Sequence, residues 1–103
     1  MIRHIVCWKF LGQAEGAAKE ENLRKAKTML ESLPEKIPEI RSLEVGIDVT
    51  RSEASFDLVL NGTFASVAAL EVYQRHPAHL AVVAFLRAVQ SAKTVVDYEV
   101  SLP

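Results

Sequence analysis

The spacing of apolar residues in this chain switches between a period of two and a period near 3.6, in the order strand, helix, strand, strand, helix, strand. Residues 2–10 set the pattern. Ile2, His4, Val6, Trp8 and Phe10 share one face, while Arg3, Ile5, Cys7 and Lys9 share the other. Gly12 to Gly16 reads as a connection. From about Ala17 the stripe Leu23, Ala26, Leu30 and Leu33 is helical, with Glu20, Arg24, Lys27 and Glu31 largely outside it. Pro34 and Pro38 bracket its expected end, because proline cannot continue a helix. Ile40 to Val49 reads as a second strand with Leu43, Val45, Ile47 and Val49 on one face. After the polar turn Thr50 to Ser55, Phe56 to Phe64 reads as a third strand, with Leu58, Leu60 and Phe64 on one side and Val59 on the other.

Ser66 is placed to cap the second helical segment, which runs through Val67, Leu70 and Tyr73 to Pro77. Pro77 disfavours helical geometry at His76, yet suits the first position of a new helix. That helix is expected to reach about Gln90, followed by a fourth strand from Thr94 to Leu102, with Val96, Tyr98 and Val100 on one face. The order βαββαβ predicts an α+β, ferredoxin-like sheet with both helices on one face, in a single domain over 1–103.

If helices cover one face, the other should be polar where it meets water. Instead Ile5, Cys7 and Val59 point that way. Burying a large aliphatic side chain is worth roughly 1.5–3 kcal/mol, so a second copy packed sheet to sheet would cover them favourably, while scattered apolar residues on a solvated face are also ordinary. With 12 Lys+Arg against 13 Asp+Glu, the formal charge of -1 provides no general field for nucleic acid or an anionic membrane. The longest apolar run, Leu80 to Leu86, is too short to span a bilayer. A lone cysteine and no signal-like start make the cytoplasm the expected location.

The densest polar cluster is Tyr73-Gln74-Arg75-His76-Pro77-Ala78-His79, around the helix break. Histidine moves protons near neutral pH, and a phenol can donate to a developing oxyanion. His79, Val83 and Leu86 fall at i, i+4 and i+7, so His79 faces the apolar side of the last helix. His4 sits among Ile2, Val6 and Trp8. These polar groups converge on an apolar space, as small-molecule sites often do. Each also has a structural reading. His79 can brace the broken helix, His76 can cap it, His4 can be a hydrogen-bonded core residue, and Tyr73 can be helix packing. Trp8 reads as pocket wall or core. Cys7 reads as packing, not as a reactive thiol. No metal site is expected: Pro77 breaks the helix that would align His76 with His79, and no Cys or acidic partner completes a set with His4. No phosphate loop, dinucleotide fingerprint or serine-nucleophile motif is present.

His4-Ile5-Val6-Cys7-Trp8-Lys9-Phe10, the Ile40…Val45-Gly46 stretch, Phe56-Asp57-Leu58-Val59-Leu60, the Tyr73–His79 cluster and Val96-Asp97-Tyr98 occur in an order and spacing that resemble the stress-responsive A/B barrel (Dabb) family over nearly the whole chain. The resemblance implies a dimeric α+β barrel with a pocket between each sheet and its helices. One family member of known activity is a plant polyketide cyclase that closes its substrate by aldol condensation without a cofactor. Its catalytic histidine matches His79, its catalytic tyrosine Tyr73 and a pocket histidine His4. The resemblance therefore implies His79 as general base and Tyr73 as oxyanion donor on a small apolar or aromatic carbonyl compound. His4, Val6, Trp8, Leu23, Leu60 and Val83 would line the site, with no cofactor. The chain departs from the cyclase on the first helix, where Leu23 and Ala26 stand in place of aromatics. The other readings are a binding module without turnover and a stress-stable structural protein.

Overall fold

The computed structural model describes residues 1–101. In chain order it contains β1 (Ile2–Phe10), β2 (Gln13–Ala14), β3 (Ala17–Ala18), α1 (Lys19–Glu31), α2 (Leu33–Lys36), β4 (Ile40–Ile47), β5 (Leu58–Phe64), α3 (Val67–Arg75), α4 (Pro77–Val89) and β6 (Gln90–Glu99). The four long strands form one sheet in the order β4-β5-β1-β6, with every neighbouring pair antiparallel. This is the ferredoxin-like arrangement that the periodicity predicts.

The alternation of β1 is realised as a two-sided sheet strand. Val6, Trp8 and Phe10 are buried with Leu23, Ala26 and Leu30 of α1 and with Val82, Leu86 and Val89 of α4. Register carries the same face across the sheet: Val6 stands opposite Leu60 on one side and Val95 on the other. The opposite face therefore collects Ile5, Cys7, Val59, Val96 and Tyr98, and no helix among the described residues covers it. Val96 remains 57% exposed and Tyr98 44%.

Several boundaries differ from the sequence reading. The connection after β1 holds a small hairpin, β2–β3, whose two turn residues Glu15 and Gly16 both have positive φ (51° and 75°), the requirement of a tight mirror-image turn. Helix α1 starts at Lys19, and Pro34 does not end helical structure. It sits in the first turn of α2, where a missing N–H removes no intrahelical bond. Strand β4 stops at Ile47, leaving Val49 89% exposed, and β5 begins at Leu58. Asp57 just before it is buried and accepts a hydrogen bond from the Phe10 N–H (2.8 Å).

Ser66 caps α3 as expected, accepting from the Ala69 N–H at 3.1 Å. His76 is extended (φ -65°, ψ 135°), as its position before proline favours, and its Nδ1 accepts from the Ala78 N–H at 3.0 Å. His76 is thus the cap of α4. Strand β6 follows α4 without a loop and starts at Gln90, four residues before the expected Thr94. Gln90, Ser91, Ala92 and Lys93 carry no apolar alternation because this is an edge strand, so its first turn of pairing is invisible to periodicity. Leu102, the expected end of that strand, lies outside the described residues.

Candidate functional site

The helix break and the sheet enclose a cavity of about 320 Å³. Its floor is buried: His4, Val6 and Trp8 from β1, Leu30 from α1 and Leu86 from α4. Its wall is half-buried, formed by His79, Val83 and Gln90. Its mouth is exposed and polar, with Gln74, Arg87 and Lys93 beside Val95.

His79 lies in the first turn of α4, three residues after the capping His76. Its Nδ1–H donates to the backbone carbonyl of Gln74 at 3.1 Å. A carbonyl only accepts, so Nδ1 carries the hydrogen and the neutral ring keeps its lone pair on Nε2. Burial pushes the His79 pKa below the ordinary value, partly offset by the Gln74 carbonyl. The neighbouring His4, Lys93 and His76 push it further down. The ring is therefore uncharged at neutral pH and free to accept a proton.

His4 is buried on β1 and stands directly opposite Asp97 on β6. Its Nδ1 meets Asp97 Oδ1 at 2.5 Å. The carboxylate holds the ring in one orientation and leaves Nε2 as the ring nitrogen available to a ligand. Tyr73 links the two histidines. Its ring centroid is 4.3 Å from that of His79 and 6.1 Å from that of His4, and it packs against Phe64 at 4.9 Å. Burial raises the phenol pKa far above its usual value, so Tyr73 stays protonated and can donate but not act as a base.

Of the residues expected around the site, His4, Val6, Trp8, Val83 and His79 border the cavity. Tyr73, Leu23 and Leu60 do not. They are 1%, 0% and 1% exposed and belong to the core behind its wall. Leu23 turns inward because it lies on the α1 stripe packed over the middle of the sheet, and Leu60 because its neighbour across the strand is Val6.

The sequence reading missed Leu30, Gln74, Arg87, Gln90, Lys93 and Val95 at the cavity and Asp97 behind His4. Extending the stripe His79, Val83, Leu86 by one turn reaches Arg87 and Gln90, so that signal was present. Lys93, Val95 and Asp97 share the face of β6 opposite His4 and Val6, which only the strand register reveals. The Trp8 indole Nε1 is buried with no hydrogen-bond partner among the described residues, a state that costs about 1–3 kcal/mol.

Cys7 lies on the uncovered sheet face, and burial pushes its thiol pKa up, away from a reactive thiolate. Among the described residues no three His, Cys, Asp or Glu side chains come together as a metal-holding group. No helix among them is long and apolar enough to cross a membrane.

A model of the stress responsive A/B barrel domain family, Dabb, matches residues 2–100. The chain belongs to the Dabb family. Solved structures agree in fold. A dimeric ferredoxin-like protein of unknown function from Bacteroides fragilis superposes on this Dabb chain with a TM-score of 0.83 at 29% identity, covering 96% of this chain and 95% of its own. A second dimeric ferredoxin-like protein of unknown function, from Thermobifida fusca, gives 0.82 at 22% identity over 96% and 90%. The hydroxynitrile lyase of Passiflora edulis gives 0.78 at 22% identity over 99% and 96%. At such identities the last two establish the Dabb chain's fold and not its activity. No curated protein matches it by sequence.

Proposed function

We propose that this Dabb protein is a homodimer whose subunits each take a small apolar or aromatic carbonyl compound between sheet and helices. There it moves a proton on that compound without a cofactor, as a polyketide-cyclase-like or related lyase or isomerase. His79 is the general base. Its Nε2 removes an acidic proton from carbon beside the carbonyl, and the electron pair passes to the carbonyl oxygen as an enolate. Tyr73, held protonated and packed against the His79 ring behind the cavity wall, positions that base.

The observation that carries this reading is the state of His79: Nδ1–H fixed on a backbone carbonyl, pKa lowered by burial, and a ring bordering a cavity with an apolar floor. Such a base is neutral where it must work. His4, held by Asp97 in the cavity floor, supports a reactive site over a passive one.

The dimer rests on the uncovered face. Ile5, Cys7, Val59, Val96 and Tyr98 form an apolar surface on the sheet, of the kind that marks an interface. The related proteins from Bacteroides fragilis and Thermobifida fusca are described as dimeric.

Solvent deuterium exchange at the acidic C–H of benzoylacetone, followed by NMR in D2O, tests the activity. The wild-type protein is expected to accelerate exchange over buffer, and His79→Ala to abolish the acceleration. The competing reading is a binding module without turnover, favoured by the placement of Tyr73 behind the cavity wall. Ligand-induced shifts with no exchange in either protein would establish that reading instead.

A further inference from the structure

The cavity is not electrically neutral. Arg87 and Lys93 both border its mouth, and neither is within ion-pair distance of a carboxylate among the described residues. By contrast, Lys19, Lys27 and Arg51 elsewhere on the surface each meet an acidic side chain. No Asp or Glu borders the cavity, and its other mouth residue with hydrogen-bonding capacity is the amide Gln74. Asp97, the nearby acid on the same strand face, is already engaged by His4.

Two unpaired cations over an apolar floor define a ligand with two ends. We infer that the site is built for an organic monocarboxylate: an apolar or aromatic body resting on Val6, Trp8 and Leu86, with its carboxylate at the mouth between Arg87 and Lys93. Arg87 comes from the last turn of α4 and Lys93 from the start of β6. The short passage from α4 into β6 brings the two to the same rim. Arginine can grip a carboxylate through two parallel N–H bonds, and the lysine adds a point charge from the sheet side. The positive rim also steers anions toward the cavity at low ionic strength.

This inference rests on the preceding reading only in using the same cavity, and it names the chemical class of what enters it. A carbonyl between body and carboxylate would lie deeper than the rim, on the side of His79 and His4. The keto acids are therefore the subclass that joins both readings.

The test compares 3-benzoylpropionate with its uncharged amide, 3-benzoylpropionamide, by calorimetry or NMR titration of the full-length protein at low salt. The acid is expected to bind about tenfold more tightly than the amide. Raising the salt concentration should shrink that ratio. Arg87→Gln and Lys93→Gln should each lower it, and the double variant should bring it close to one. Both side chains are exposed, and a circular dichroism melt confirms that the variants fold. Equal binding of acid and amide overturns the inference, as does failure of both to bind at millimolar concentration, or a ratio indifferent to both substitutions. The benzoylacetone assay separates the two proposals. Exchange that depends on His79 without carboxylate preference removes this inference alone. Carboxylate preference without exchange removes the catalytic reading alone.

Discussion

His4 and Asp97 stand opposite each other across the β1–β6 ladder, 93 positions apart in sequence, and meet through Nδ1 and Oδ1 at 2.5 Å. Among the described residues the carboxylate is the only hydrogen-bond partner of the buried ring, so it sets how His4 presents its other nitrogen to the cavity. Asp97→Asn keeps the size of the side chain but replaces the carboxylate. It is expected to lower benzoylacetone exchange, because His4 on the cavity floor loses the carboxylate that fixes its ring. The thermal midpoint should move little, because the Asp97 side chain is 37% exposed. Exchange rates and melts measured on one preparation check both statements.

His79 sets a pH profile of definite sign. Its folded pKa lies below the ordinary 6.5. Exchange requires the neutral ring, so the His79-dependent rate is expected to rise with pH through a midpoint below 6.5 and level off above it. Stability follows the same direction. Between the lowered folded value and 6.5 the unfolded chain binds more protons at this site than the folded one, so stability rises with pH through that window and is complete above it. Denaturant melts across the window should show this slope in the wild type and a smaller one in His79→Gln.

Tyr73 separates packing from chemistry. Tyr73→Phe preserves the ring contacts with His79 and Phe64 and removes only the hydroxyl. Its cost in stability is expected to stay below about 1.5 kcal/mol, while exchange falls by less than about 100-fold, the scale for losing a donor that touches the oxyanion. Tyr73→Ala, which opens the core, should cost about 3–5 kcal/mol. A Phe variant with full exchange would leave Tyr73 a purely structural residue.

The uncovered sheet face makes its own prediction. Val96 is 57% exposed, so Val96→Lys costs an isolated subunit little. In a sheet-to-sheet dimer the same lysine would be buried without a partner. Sedimentation is expected to show a dimer for the wild type and a folded monomer for Val96→Lys at micromolar concentration. A variant that remains dimeric would place the interface elsewhere.

Much of the architecture was legible from residue order. The alternation of β1, the stripe of α1, the cap at Ser66 and the break at Pro77 each depend on neighbours within a few positions, where the backbone geometry of strand, helix and proline acts directly. The same locality identified His79 and the apolar residues one and two helical turns beyond it. Some local signals misled. Pro34 looked like a stop but occupies a position where its missing N–H costs nothing, and the polar start of β6 carried no alternation because an edge strand can face water on both sides.

The sequence by itself determined which faces are apolar and where the chain must break, because side-chain period and proline stereochemistry are properties of short segments. Which residues share a cavity was decided only by the tertiary structure. The register of β6 on β1 brings Asp97 to His4 and Lys93 to the rim beside Arg87, and the packing of α1 and α3 draws Leu23 and Tyr73 into the core behind the wall. Strand pairing is a contact between distant segments, and no local pattern encodes its offset.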